Sequence, residues 1–159
     1  MQFNLIKCIT FVLNYRNLMH ESLLLKNQLC FPIYALSRQV TQYYRPLLDE
    51  LDITYPQYLV MMVLWEHEQQ TVNQLGAILR LDSGTLTPLL KRLEQKELIR
   101  RTRSTTDERI VQITLTEAGK AMEEKACDIP LKMMERMGLS LEEMQQLKQL
   151  TEKMLHHQS

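Results

Sequence analysis

Residues 82–98 read DSGTLTPLLKRLEQKEL, which is the pattern of a short helix with one buried face. Asp82 suits the N-cap, because a carboxylate oxygen accepts a hydrogen bond from a free N–H of the first turn. Pro88 forfeits one backbone hydrogen bond and predicts a bend. Four leucines recur at the spacing i, i+3, i+4, i+7 and predict the buried face: Leu86, Leu89, Leu90 and Leu93. The polar candidate contact residues of this helix are Ser83, Thr85, Thr87, Lys91 and Arg92.

The stretch before it, TVNQLGAIL at residues 71–79, predicts another short helix. Thr71 and Gln74 have the spacing of a capping box. Two short helices joined by a tight turn at Arg80 and Leu81 are typical of a helix-turn-helix. Small hydroxyls at the start of its second helix can approach base edges, and cations one or two turns later reach phosphates. The pair therefore predicts a DNA-binding element.

The stretch after it changes from helical spacing to alternation. Val111, Ile113 and Leu115 alternate with polar or smaller residues, which indicates a strand, and Ile99 to Arg103 is expected to pair with it. The polar tip of the hairpin is expected to be shaped by an ion pair between Asp107 and Arg109. Such a wing can enter a minor groove or contact phosphates, and the candidate contacts are Arg101, Arg103 and Arg109.

The remaining helices surround this core. Apolar residues from Ser22 to Leu48 fall at helical spacing, predicting one long helix. Residues 54–67 begin with a Thr54–Gln57 capping box and are apolar nearly all round, as in a core helix, with Met61, Met62 and Trp65 expected inside. Further helices are predicted from Thr116, ending at Pro130, and from Ser140, which has the spacing of a capping box with Glu143. The fold class is mainly α with a small β-hairpin wing, a winged helix-turn-helix domain plus a helical dimerisation region.

Composition excludes several classes of protein. The formal net charge is zero, yet seven cations and four acids lie between Leu89 and Ile110, a local balance of +3 that suits phosphates. Three cysteines without a C-x-x-C pair predict neither a disulfide framework nor a zinc site. No apolar run approaches the roughly 18 residues of a membrane span. We expect a cytoplasmic protein without metal, cofactor or membrane partner.

Four regions are predicted along the chain. Residues 1–18 are an N-terminal extension, with the native start at Met19 as one alternative and an ordered arm as the other. Residues 19–52 form a dimerisation and sensor helix. Residues 53–116 form the winged helix-turn-helix, and residues 117–159 the C-terminal dimerisation helices.

The combination of DSGTLTPLLKRLE, the DER of the wing and LTEAGK resembles the MarR family of winged-helix regulators. NQLCFPIY at residues 27–34, together with DITYPQYLVMMVLWEHE, is similar to the branch that senses organic hydroperoxides, the OhrR regulators. The resemblance covers about Leu24 to Leu155. It implies a homodimeric repressor of double-stranded operator DNA, not an enzyme, with an organic hydroperoxide as inducer.

The same resemblance implies that Cys30 is the redox sensor and that Tyr44 and Tyr55 hydrogen-bond its sulfur. On one straight helix Tyr44 would lie about 21 Å from Cys30, at 1.5 Å per residue. If the tyrosines contact the thiol, they must come from the partner subunit, as the resemblance implies. Phe31 and Tyr34 are expected to line the peroxide pocket.

Pro32 departs from the family motif and leaves two outcomes open. If it restarts the helix, Cys30 lies at a helix N-terminus, which favours the thiolate. If it only kinks the helix, the geometry of the sensor changes.

Alternatives remain for both cysteines. Cys30 is otherwise a small hydrophobe in a core. Cys127 is expected to be ordinary packing, with a resolving cysteine as the alternative, so a low-molecular-weight thiol is expected to capture the oxidised sensor. Two other functions stay open: a MarR-type repressor that responds to a small phenolic ligand, and a thiol peroxidase. The missing C-x-x-C partner and the basic wing disfavour the enzyme.

Overall fold

In the computed structural model, residues 20–103, 107 and 110–156 are described. Two compact units divide the chain, and the boundary between Gln42 and Tyr43 falls inside helix α1, Cys30–Asp49. A single 3-10 turn, Leu25–Asn27, precedes α1. The predicted N-terminal extension lies outside the described residues.

The second unit continues with a winged helix-turn-helix and further helices. Its elements are α2 (Tyr55–His67), β1 (Gln69–Thr71), α3 (Val72–Leu79), α4 (Ser83–Gln95), β2 (Ile99–Arg103), β3 (Val111–Leu115), α5 (Glu117–Ala126), α6 (Ile129–Met137) and α7 (Leu141–His156). The predicted fold class is confirmed. The predicted helix-turn-helix is α3 and α4, and the predicted wing is β2 and β3.

Polar side chains fix where these helices begin. The Thr85 N–H donates to Asp82 Oδ1 at 2.9 Å, so Asp82 is the N-cap of α4 as predicted. The predicted capping boxes are also present, in the pairs Thr54–Gln57, Thr71–Gln74 and Ser140–Glu143. Each satisfies N–H groups that a helix terminus leaves without an intrahelical partner.

The wing belongs to a three-stranded antiparallel sheet with the order β1-β3-β2. Ile113, in the central strand, faces Arg101 on one side and Gln70 on the other. Strand β1 was not predicted, because its sequence QQT is short and polar and has no apolar alternation. It makes β3 central and leaves β2 at an edge of the sheet.

The core lies among α2, α3, α4 and the sheet. Its fully buried side chains include Val60, Met61, Leu64, Leu75, Leu86, Leu90, Leu93 and Ile113. Burying one such side chain stabilises a fold by about 1.5–3 kcal/mol. The leucine face predicted for α4 is therefore what anchors this helix, although Leu89 is only half-buried. Helix α4 continues through Pro88.

Close packing explains why the LTEAGK motif has a glycine, Gly119. A Cβ atom there would lie 2.0 Å from the carbonyl oxygen of Leu98, so only glycine lets α5 pack against the segment before β2. Its own carbonyl oxygen accepts a hydrogen bond from the Trp65 indole at 3.0 Å. Gly119 thus joins α2, α5 and the start of the wing.

Two predicted helices have different bounds. The helix expected from Ser22 begins at Cys30, which places Pro32 in the first turn, where its missing N–H costs nothing. Of the two outcomes for Pro32, the structure has the helix starting beside it. Pro130 does not end a helix; it lies in the first turn of α6.

Of the three residues expected in the core, Met61 is buried, Trp65 is half-buried and Met62 is exposed. None of the described helices is long and apolar enough to cross a bilayer. Across the described ranges, no group of three or more metal-ligating side chains comes together.

Candidate functional site

The face of α4 that points away from the core is polar. Ser83, Lys91 and Arg92 are exposed, and Thr87 is half-buried. The hydroxyl of Thr85 donates to Asp82 Oδ2 at 2.8 Å, and that of Thr87 donates to the Ser83 carbonyl at 2.7 Å. Both hydroxyl oxygens keep lone pairs for a donor. The hydrogen bonds that Asp82 accepts from the hydroxyl and the backbone N–H of Thr85 lower the pKa of its carboxyl.

The wing carries its arginines in different environments. Arg100 and Arg103 are exposed. Arg101 lies against Glu94 of α4, with 3.6 Å between Nη1 and a carboxylate oxygen. Arg109 and most of the wing tip lie outside the described residues, as does the expected Asp107–Arg109 pair. The Asp107 carbonyl accepts the Ile110 N–H at 2.9 Å.

A cluster of tyrosines lies between α1 and α2. The ring centroids of Tyr44 and Tyr55 are 4.6 Å apart, and Tyr58 lies 5.8 Å from Tyr44. Burial, together with the neighbouring Tyr55 and Tyr58, raises the pKa of Tyr44 to about 12. Burial also raises the pKa of Tyr55. The two tyrosines singled out from the sequence are thus brought together as protonated hydroxyl donors.

Cys30 is the first residue of α1 and is exposed. It is therefore not a packed hydrophobe within its own chain, and the partial positive charge of a helix N-terminus lies beside it. Phe31 and Tyr34 are exposed too. The Tyr34 hydroxyl accepts a hydrogen bond from Arg38 Nη1 at 2.8 Å, one turn further on.

Cys127 is exposed at the C-terminus of α5. It lines a cavity of about 330 Å³ together with Tyr58, Met62 and Trp65. The cavity is apolar on most of its wall. Tyr58 connects this cavity to the tyrosine cluster, because its ring also contacts Tyr44.

Comparison with known proteins agrees with this architecture. Residues 42–126 match the family of SarA/Rot transcriptional regulators. Over 126 residues the chain is 58% identical to the organic hydroperoxide resistance transcriptional regulator of Bacillus subtilis, covering 79% of this chain and 84% of the relative. The chain belongs to the MarR family of winged-helix transcriptional regulators, in its organic hydroperoxide resistance branch.

Solved structures of related regulators have the same fold. The structure of reduced AbfR bound to DNA superposes with a TM-score of 0.71 at 41% identity, covering 84% of this chain and 94% of the other. The reduced form of MarR from E. coli superposes with a TM-score of 0.67 at 27% identity, covering 80% and 96%. This chain is accordingly a DNA-binding transcriptional regulator and not an enzyme.

Three residues of these sites were not singled out from the sequence. Tyr58 has the apolar surroundings of any core residue. Arg38 follows Tyr34 at i+4, which was the available signal for their hydrogen bond. Glu94 meets Arg101 only because the chain reverses between α4 and β2, and no sequence spacing reports that contact.

Proposed function

We propose that this regulator is a repressor whose DNA binding is released when an organic hydroperoxide oxidises Cys30. The observation that carries the proposal is an exposed thiol at the first turn of α1, in a chain that shares 58% identity with a hydroperoxide resistance regulator. Derepression of a peroxide-detoxifying gene would follow.

The proposed reaction balances without a cofactor. The Cys30 thiolate attacks one oxygen of the hydroperoxide, the O–O bond breaks, and sulfenic acid forms while the leaving alkoxide takes a proton to become an alcohol. A low-molecular-weight thiol then condenses with the sulfenic acid to a mixed disulfide, releasing water. Cys127 is the alternative partner for that second step.

Protonated tyrosines fit the proposed sensor. The Tyr44–Tyr55 pair of one subunit would receive Cys30 of the other and donate hydrogen bonds to its sulfur, which favours the thiolate. Both hydroxyls are protonated at neutral pH, because an ordinary tyrosine pKa is about 10 and burial raises the pKa of both further. Phe31 and Tyr34 would line the approach of the peroxide.

A homodimer would supply this arrangement. Each unit leaves apolar side chains exposed, including Leu29 and Leu36 in the first and Leu141, Leu147 and Leu150 in the second. A contiguous apolar surface formed by such side chains would mark an interaction site. A second copy covering both faces would bring the sensor thiol and the tyrosines together at the interface.

DNA contact is proposed for α4 and the wing of each subunit. Two copies of α4 would enter successive major grooves of a pseudo-palindromic operator. Ser83, Thr85 and Thr87 would approach bases or phosphates, and Lys91, Arg92, Arg103 and Arg109 would contact phosphates or the minor groove. Oxidation at the dimer interface would change the separation of the two helices and weaken binding.

The test is binding to promoter DNA from the regulator's own locus, titrated with an organic hydroperoxide. Wild type should release the DNA at low peroxide, whereas Cys30→Ser should stay bound. Cys127→Ser is the matched control. After peroxide treatment it should release DNA like wild type if a small thiol completes the reaction, and it should stay bound to DNA if Cys127 completes it. Retention of DNA by the peroxide-treated wild type would contradict the proposal.

A second candidate function is release by a small phenolic ligand. The apolar cavity beside Tyr58, Met62 and Trp65 favours it, because its volume of about 330 Å³ suits a small aromatic molecule. Release of DNA by a phenol in the Cys30→Ser variant, without oxidant, would support this function over the redox response.

A further inference from the structure

One carboxylate joins the DNA-reading helix to the wing. Glu94 lies near the end of α4, and Arg101 lies in the middle of β2. Glu94 Oε1 accepts the backbone N–H of Arg101 at 3.2 Å, and its Oε2 lies 3.6 Å from Arg101 Nη1. The same side chain thus holds both the main chain and the side chain of Arg101.

The position of β2 in the sheet makes this contact important. Because β2 is an edge strand, it pairs with β3 on one side only. Edge strands present N–H groups that no neighbouring strand satisfies. Glu94 satisfies the N–H of Arg101 in place of a neighbouring strand, which fastens β2 to α4 at its midpoint.

Arg101 is enclosed, unlike the other wing arginines. Its side chain is 22% exposed, and it lines a cavity of about 260 Å³ with Thr71, Asn73 and Thr87. Its Nε is buried and has no acceptor among the described residues. Without Glu94 the guanidinium would lose its counter-charge in this enclosed place, and an unpaired buried charge is strongly unfavourable. The side chain would then turn outward, and β2 would lose the hydrogen bond to Glu94 that fastens its midpoint to α4.

We infer that Glu94 and Arg101 are positioning residues for DNA binding: they set the wing against α4, and Arg101 is not itself a phosphate ligand. This replaces the sequence-based expectation for Arg101. The inference rests on the proposed use of α4 and the wing in DNA contact. It does not depend on the oxidation of Cys30.

The direction in which DNA affinity changes when Glu94 is removed separates two possible roles of Arg101, phosphate contact and positioning of the wing. If Arg101 contacted a phosphate and Glu94 merely neutralised it, removing Glu94 would take away a repelling charge and tighten DNA binding. If the two residues position the wing, removing Glu94 weakens binding even though the protein becomes more positive. Salt dependence gives a second criterion, because each phosphate contact contributes about 0.9 to the slope of log K against log salt.

The experiment uses the full chain, reduced and without peroxide, and a labelled duplex from its own promoter. Fluorescence anisotropy over a salt series gives the affinity and the slope for Glu94→Ala, Arg101→Ala and the double variant. We expect each single variant to bind about tenfold more weakly and the double variant to lose little more, since coupled residues are non-additive. The slope should stay close to that of wild type. Glu97→Gln, which removes a nearby acid outside the pair, should not weaken binding.

Tighter binding by Glu94→Ala, or a slope reduced by about one unit in Arg101→Ala, would overturn the inference. Thermal melting checks that the variants fold. If Glu94→Ala does not fold, Glu94→Gln replaces it, because it also removes the negative charge but keeps an acceptor for the Arg101 N–H. Its DNA affinity is then compared with that of wild type in the same way. Arg103→Ala tests the wing itself: if it weakens binding and Glu94→Ala does not, only this inference fails. If neither weakens binding, the proposed wing contact fails and the inference fails with it.

Discussion

Tyr44 and Tyr55 show how a single residue acquires a property from its surroundings. A tyrosine in water has a pKa of about 10, and burial raises the pKa of Tyr44 to about 12. The cause is desolvation, which disfavours the phenolate. A hydroxyl held in its protonated form is a dependable donor, which is the role proposed for it toward the sensor sulfur.

Gly119 is the residue whose replacement we expect to be most disruptive for its size. In Gly119→Ala the new Cβ would meet the carbonyl oxygen of Leu98, which is backbone and cannot turn away. Overpacking of this kind costs roughly 1–3 kcal/mol, and we expect the upper end. Urea unfolding measures it. Gly138→Ala is the control: its Cβ meets nothing within 4 Å, so it carries only the strain of a φ of +64°. Equal losses in the two variants would contradict the packing argument.

At the scale of elements, α4 depends on a buried face and a capped start. Leu86, Leu90 and Leu93 bury one side, and Asp82 holds the first turn by accepting two hydrogen bonds from Thr85. The side-chain and backbone hydrogen bonds from Thr85 lower the pKa of Asp82. The cap therefore depends on an ionised carboxylate.

We expect Asp82→Ala to lower the melting temperature at neutral pH and to matter less in acid. Because the pKa of Asp82 is lower in the folded chain, its contribution is present above the unfolded pKa and is lost as pH falls through the folded value. The difference between wild type and variant should therefore stay constant from pH 7 to about pH 5 and shrink as the pH falls below the ordinary aspartate pKa of about 4. Glu135→Ala, on the exposed side of α6, controls for loss of an acid. A difference that is constant with pH would show that the cap does not act through its charge.

At the scale of the whole molecule, α7 exposes apolar side chains that the described part of one chain does not cover. Leu150 is 61% exposed and Leu141 is 70% exposed. A solvated helix normally keeps such residues on its covered face. The proposed homodimer would cover them, and the proposed sensor requires that association.

Leu147→Lys with Leu150→Lys should convert a dimer to a monomer and weaken operator binding by at least tenfold, because one reading helix would be lost per complex. Both leucines are exposed within one chain, so the charges should not disturb its core. Sedimentation velocity and anisotropy measure the two effects. Gln149→Lys, exposed on the same helix, should leave the dimer intact. A doubly substituted chain that still dimerises would place the interface elsewhere.

Local chemistry in the sequence was sufficient to predict most of the elements. The capping pairs, the leucine spacing of α4 and the alternation of β3 act between near neighbours, so residue order alone reports them. The pairing of Ile99–Arg103 with β3 followed from the same local patterns. The bounds around Pro32 and Pro130 were wrong because a proline is equally compatible with ending a helix and with starting one.

The sequence by itself determined the winged-helix class, the helix-turn-helix and the cysteine that stands out. Only the tertiary structure decided that Cys30 is exposed at a helix start, that the rings of Tyr44 and Tyr55 contact each other, and that Arg101 is held by Glu94. It also decided that the polar segment Gln69–Thr71 becomes a strand. The physical reason is range: caps and periodicity depend on residues a few positions apart, whereas burial, ring contacts and strand pairing depend on where distant segments meet.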